Sequence, residues 1–228
     1  GLGDSMEGYR WLPTGLNVPW LNYLLVNAPD DYHGGFSWYD IFENPAPGME
    51  RSRAALMEML DAQQKAGFPA EQIFQFGFSQ GCLMTMEMAM RYPRKLAGCL
   101  GVSGYVHEPD TALQELSPVA TEQEILFTYG TFDPIIPAEK VKGQLNQLQA
   151  DGGLQIEANE FAKAEEVLAG AGTARSRFET LFGGVIALAA QGDRRGCFLC
   201  NAAADQGQED DEATAAVSAR LQLLKTVS

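Results

Sequence analysis

Ser79 stands between two glycines in Gly77-Phe78-Ser79-Gln80-Gly81, a spacing that can expose a serine hydroxyl for nucleophilic attack. The apolar run Ile73-Phe74-Gln75-Phe76 before it reads as a strand, and residues 82–90 after it read as a helix. Strand, turn and helix in that order form the context a nucleophile elbow needs. Gly77 and Gly81 would let the backbone make a sharp, strained turn without a Cβ striking strand or helix. The N–H of Gln80 would then open a helix, free to donate to an oxyanion and aided by the helix dipole. A serine hydroxyl is a poor nucleophile at neutral pH and needs a base within ~3 Å. Only two histidines, His33 and His107, are present to supply it.

Several elements must position these groups. Residues 20–26 read as a buried strand broken by Asn27-Ala28-Pro29-Asp30-Asp31, and residues 32–42 as a loop rich in aromatics and glycine. After the Pro-bounded Asn44-Pro45-Ala46-Pro47-Gly48, residues 49–66 carry apolar side chains at helical spacing, closed by Gly67-Phe68-Pro69. Residues 96–103 and 124–130 read as further buried strands, 140–150 as a helix and 154–158 as a last short strand. Such alternation implies an α/β fold, a mostly parallel sheet flanked by helices, with right-handed crossovers. Functional loops of such a sheet gather at the carboxyl ends of its strands. The turn at Ser79, the segment 105–107 and the segment 131–137 all emerge there.

Beyond about residue 162 the chain becomes Ala-rich and reads as helical over 164–190, about 196–204 and 211–224. This gives a boundary between an α/β unit over 1–162 and an all-helical segment over 163–228. Phe178, Leu181, Phe182, Ile186, Leu188, Phe198 and Leu199 recur at near-helical spacing and are expected to be buried. Cys197 and Cys200 would share one apolar helix face, which favours packing over a metal or redox pair, since no second ligand pair exists. The acidic run Glu209-Asp210-Asp211-Glu212 suits a helix start.

Composition narrows the partners. Sixteen Lys and Arg against 30 Asp and Glu give a formal charge of −14, and so acidic a surface repels nucleic acid backbones and anionic lipid headgroups. No apolar run approaches the ~20 residues a membrane span requires. Cys82 and Cys99 lie in apolar runs as expected for reduced core thiols, from which a cytoplasmic location follows.

The first ~160 residues resemble the phospholipase/carboxylesterase family of α/β-hydrolases, which also contains the acyl-protein thioesterases. Four segments carry the resemblance in order: Gly1-Leu2-Gly3-Asp4-Ser5, similar to its oxyanion loop; Ser37-Trp38-Tyr39-Asp40, to its Trp-Phe-Asp segment; Gly77-Phe78-Ser79-Gln80-Gly81, to its elbow; and Gly130-Thr131-Phe132-Asp133-Pro134-Ile135-Ile136-Pro137, to its acid-bearing loop. The resemblance implies Ser79 as nucleophile, Asp133 as the acid orienting a histidine, and the N–H groups of Leu2 and Gln80 as oxyanion donors. It also implies a strand ending in His-Gly before the oxyanion loop and a catalytic histidine soon after the last strand. Here the first segment starts without a strand, and Glu160-Phe161-Ala162-Lys163-Ala164-Glu165-Glu166 holds no histidine. The remaining ~65 residues resemble the middle of the ligand-binding domain of tetracycline-repressor-type regulators, on Arg177-Phe178-Glu179, on Gly196-Cys197-Phe198-Leu199-Cys200-Asn201-Ala202-Ala203 and on Ala213-Thr214-Ala215-Ala216-Val217. DNA binding is not carried over, since the helix-turn-helix is lacking.

The expected activity is therefore hydrolysis of short-acyl carboxylic esters or thioesters, small-molecule substrates, without cofactor or metal. His107 is either a stand-in base or a loop histidine near the site, and His33 a rim or surface residue. Phe36, Trp38 and Tyr39 either line an acyl groove or cover the sheet. Asp-Pro at 133–134 also suits a turn start. The alternatives are a non-catalytic binding protein, or a helical regulator fragment fused to a hydrolase remnant. Whether the chain forms a homo-oligomer stays open.

Overall fold

The computed structural model describes residues 1–161 except Trp11, Asn17, Pro19, Phe132 and Pro134, together with residues 197–201. Among the described residues the centre is a six-stranded sheet in the order β1-β8-β4-β5-β6-β7, made of β1 (Asn22–Leu25), β4 (Ile73–Phe78), β5 (Gly98–Val102), β6 (Glu124–Gly130), β7 (Gln155–Phe161) and β8 (Cys197–Asn201). Every neighbouring pair in it is parallel. Parallel strands are covered on both faces, which is why β4, β5 and β6 read as nearly unbroken apolar runs. Alternate residues still part to opposite sides: Ile73, Cys99, Ile125 and Phe127 enter one core with the helices, while Phe74, Phe76, Leu100, Val102 and Leu126 enter a second core with Tyr9, Leu12 and Val18.

Helices α2 (Pro45–Lys65), α3 (Gln80–Arg91) and α5 (Ala138–Gly152) supply the crossovers, with short α1 (Leu12–Leu16) and α4 (Pro109–Gln114) between other elements. Helix α2 begins four residues before the start expected from apolar spacing. The Asn44 side chain accepts from the Ala46 N–H and Pro45 takes the first helical position, where a missing N–H costs nothing because that donor has no partner within the helix. Helix α3 is buried along its whole length from Gln80 to Met90. Helix α5 ends on Gly153 at φ 66°, with the Gly153 N–H returning to Gln149 O, a left-handed cap that glycine favours.

Two sequence expectations change. The segment 32–42, read as loop, begins inside a hairpin of β2 (Asp30–Tyr32) and β3 (Gly35–Ser37). Its two-residue turn, His33 and Gly34, has φ 44° and 89°, the doubly positive geometry whose twist matches antiparallel strands. Strands of three residues are too short to show an alternating pattern.

The second change concerns the tail. The helix expected over about 196–204 is instead β8, seated between β1 and β4 with Cys197 opposite both Asn22 and Ile73. Cys-Phe-Leu-Cys is a short apolar run, and such a run is equally a buried helix segment or a central parallel strand by periodicity alone. The shared helical face argued for Cys197 and Cys200, and the helical setting of Phe198 and Leu199, fall with the helix. The other tail expectations, over 163–196 and 202–228, lie outside the described residues.

Candidate functional site

Ser79 occupies the single residue between β4 and α3, at φ 55° and ψ −117°. That conformation is strained for a residue with a Cβ. Packing enforces it: a Cβ on Gly77 would lie 2.0 Å from Gly81 O and 2.6 Å from Thr85 Oγ1, so the incoming strand and outgoing helix touch backbone to backbone. The Ser79 N–H donates to Val102 O and its carbonyl accepts from Leu83. Gln80 opens α3, so its N–H is one of the four that a helix cannot satisfy internally. Three residues after Ser79, Cys82 is fully buried and burial pushes its thiol far above the usual range, which removes it as a rival nucleophile. Cys99 is likewise free and buried, its thiol pushed up to about 12 by burial.

The loop bearing Leu2 is held by the hairpin of β2 and β3. Asp4 bridges Phe36 of β3: the Gly3 N–H donates to Phe36 O at 2.8 Å and the Phe36 N–H to Asp4 O at 2.9 Å. The Asp4 carboxylate in turn accepts from the Ser5 N–H and the Tyr9 hydroxyl. Gly35 has to be glycine here, since a Cβ would lie 1.9 Å from Gly3 O. The hairpin of β2 and β3 thus holds this loop through backbone bonds to Gly3 and Asp4.

Asp133 follows β6 and so emerges at the same sheet edge as Ser79, one strand removed. Its Oδ1 accepts from the N–H groups of Ile135 (2.8 Å) and Ile136 (2.9 Å). The carboxylate thus closes the turn that follows it, with both backbone bonds on a single oxygen. Between them, at the end of β5, Ser103 has φ 50° and starts the loop to His107. Gln144 of α5 pins this loop by accepting from the Val106 N–H (3.1 Å) and donating to its carbonyl (2.6 Å). The His107 Nε2 lies 3.8 Å from Glu108 Oε1. His33 sits exposed at the hairpin tip, edge-on to Tyr32.

At the end of β7, Glu160 takes the Lys142 ammonium at 2.8 Å and the Thr131 hydroxyl at 3.1 Å. Hydrogen bonding from Lys142 holds its carboxyl below the ordinary value, which makes it a weaker base still.

Of the aromatic candidates, Trp38 and Tyr39 are buried in the main core, and Phe36 packs against it half-buried. Burial, reinforced by Tyr105, pushes the Tyr39 hydroxyl far up. A cavity of about 260 Å³ opens beside them, between Leu2, Ser37, Tyr39 and the exposed pair Ile41 and Phe42, with Asp30, Asp31 and Asp40 at its margin. Leu2 touches this cavity and Ser79 does not. Among the described residues no group of three or more His, Cys, Asp or Glu is placed to hold a metal ion, and no helix is long and apolar enough to cross a membrane.

Sequence reasoning missed Glu87, whose carboxylate lies in the middle of α3 at 2 % exposure between Arg53 and Arg91. A lone charge in the apolar stretch 82–90 was the available signal, because such a charge must be paired. It also missed the Gln80 side chain, for which no sequence signal exists.

Residues 1–165 match the family model described as phospholipase/carboxylesterase. Over 166 residues the chain is 35% identical to acyl-protein thioesterase 1 of Schizosaccharomyces pombe, covering 65% of this chain and 74% of that protein. It is 33% identical over 159 residues to acyl-protein thioesterase 1 of Candida albicans, covering 60% and 68%. The fold is similar to that of Arabidopsis thaliana SOBER1 (TM-score 0.65, 17% identity, 99% of this chain and 94% of that one) and of esterase PE8 (TM-score 0.60, 18% identity, 98% and 89%). The likeness of the tail to tetracycline-repressor-type regulators gains no support from these matches. With the family model spanning most of the chain and its strained serine turn standing where that family's elbow was read, the chain belongs to the phospholipase/carboxylesterase family and has its α/β-hydrolase fold.

Proposed function

We propose that the chain hydrolyses carboxylic esters or thioesters of short acyl groups through an acyl-serine intermediate on Ser79. The observation that carries this reading is the φ of 55° at Ser79, a strained turn that presents its side chain at the carboxyl edge of the sheet. In the first half-reaction Ser79 Oγ bonds to the carbonyl carbon while its proton passes to a base. The N–H groups of Leu2 and Gln80 receive the negative oxygen. The tetrahedral centre then collapses, the bond to the alcohol or thiol breaks, and the leaving group departs with a proton. Water repeats the sequence on the acyl-serine and releases the acid. Asp133 orients the base.

The weak point is that base. Residues 160–166 supply no imidazole, and Glu160 is engaged by Lys142. His107 is the stand-in, on a pinned loop at the right edge. This favours one second reading, a binding protein with a hydrolase-like pocket, over the fused regulator fragment. Turnover of nitrophenyl acetate is the test. The chain is expected to work several orders of magnitude below the ~10 per second typical of enzymes, and Ser79→Ala to lower even that rate. Loss of the residual rate in His107→Ala would make His107 the base; an unchanged rate in Ser79→Ala would leave the binding reading.

A further inference from the structure

The Gln80 side chain is 4 % exposed, and its hydrogen bonds run to one segment, Ser37 to Tyr39. Its Oε1 accepts from the Trp38 N–H at 3.0 Å and lies 3.3 Å from Ser37 Oγ. Its Nε2 donates to Tyr39 O at 2.8 Å. A backbone N–H can only donate and a carbonyl only accept, so these two partners fix which way the amide points. From the opposite side, Ser52 of α2 donates to Trp38 O at 2.5 Å, and the Tyr39 backbone lies so near Gly48 that a Cβ there would come within 2.9 Å of Tyr39 Cα. The segment is thus gripped between the helix that starts at the serine turn and helix α2. Directly after it the chain runs out to Ile41 and Phe42, which line the same cavity as Leu2.

We propose that the Gln80 carboxamide is a positioning residue: it ties the turn carrying Ser79 to the cavity wall at Ser37 to Phe42, and so sets where an acyl chain lies relative to the nucleophile. The proposal rests on the hydrolase reading above. It is separate from the Gln80 backbone N–H, which any substitution except proline retains. A carboxylate at this position would keep an acceptor for Trp38 and face Tyr39 O with no donor, and a thioether would offer neither, leaving buried backbone groups unsatisfied. The wall would then shift or loosen. Long acyl chains, which need the wall, would suffer more than acetyl, which does not reach it.

Two arms test this on the full chain, with Gln80→Met and Gln80→Glu. In the first, amide hydrogen exchange at Trp38, whose N–H is otherwise buried, should speed up about tenfold or more in Gln80→Met. In the second, the ratio of kcat/KM for nitrophenyl octanoate to that for nitrophenyl acetate should fall about tenfold, mainly through KM. A parallel fall for both esters would mean general damage to the turn and would overturn the proposal, as would unchanged exchange at Trp38. Failure of the hydrolase reading looks different: no Ser79-dependent turnover in the parent chain, while the exchange arm, which needs no substrate, still reads the clamp.

Discussion

Gly77→Ala is expected to destabilise the protein by about 3 kcal/mol or more and to abolish reactivity at Ser79 together. The new Cβ would sit 2.0 Å from Gly81 O and 2.2 Å from Gly81 C. Those are backbone atoms at the start of α3, not the end of a flexible side chain, so relief requires the helix to move off the strand. Helix α3 is buried along its length, and moving it opens the main core. It also relaxes the turn that holds Ser79 at positive φ. Melting curves should show a fall of roughly 6–12 °C, at about 2–4 °C per kcal/mol for a chain of this size. Gly143→Ala is the control, since a Cβ there meets nothing within 4 Å on an exposed face of α5; it should stabilise by about 0.5–1 kcal/mol. Equal melting of the two variants would contradict the packing argument.

Glu87→Ala is expected to cost about 3–5 kcal/mol, the usual effect of removing one partner from a buried ion pair. Glu87 Oε2 lies 3.0 Å from Arg53 Nη1 and Oε1 lies 2.9 Å from Arg91 Nη1. The Arg91 side chain is only 9% exposed and its remaining partner is the half-exposed Glu115, at 2.9 Å from Nε. Without Glu87 a guanidinium stays buried with most of its compensation gone, between the two helices that grip the Ser37 to Tyr39 segment. Glu115→Ala should cost no more than about 1 kcal/mol, because that carboxylate is 51% exposed and screened by water. Chemical unfolding of both variants decides it, and a Glu87→Ala loss as small as that of Glu115→Ala would refute the buried-pair account.

Much of the fold was legible because local pattern and tertiary role agreed. The runs around Ile73, Leu100 and Leu126 are apolar because they lie in a parallel sheet, and the glycines at 77 and 81 mark a turn that only small residues permit. Legibility failed where the answer depends on a distant partner. Cys197–Asn201 is a strand only because β1 and β4 leave a place between them. The loop carrying Leu2 is held at Gly3 and Asp4 by Phe36, thirty-odd residues away, through backbone bonds that leave no trace in side-chain type. For Gln80 the motif exposed the backbone N–H, while the three bonds of its side chain came from the packing of α3 against the 37–39 segment.

Covalent trapping of Ser79 tests the central claim most directly. The full chain and Ser79→Ala are incubated with a fluorophosphonate, which forms a phosphorus–oxygen bond to an activated serine and releases fluoride, and the adduct is mapped by mass. The account predicts a single adduct on Ser79, formed slowly because residues 160–166 supply no imidazole, and no adduct in Ser79→Ala. Labelling of another residue, or an unlabelled chain after prolonged exposure, would contradict it.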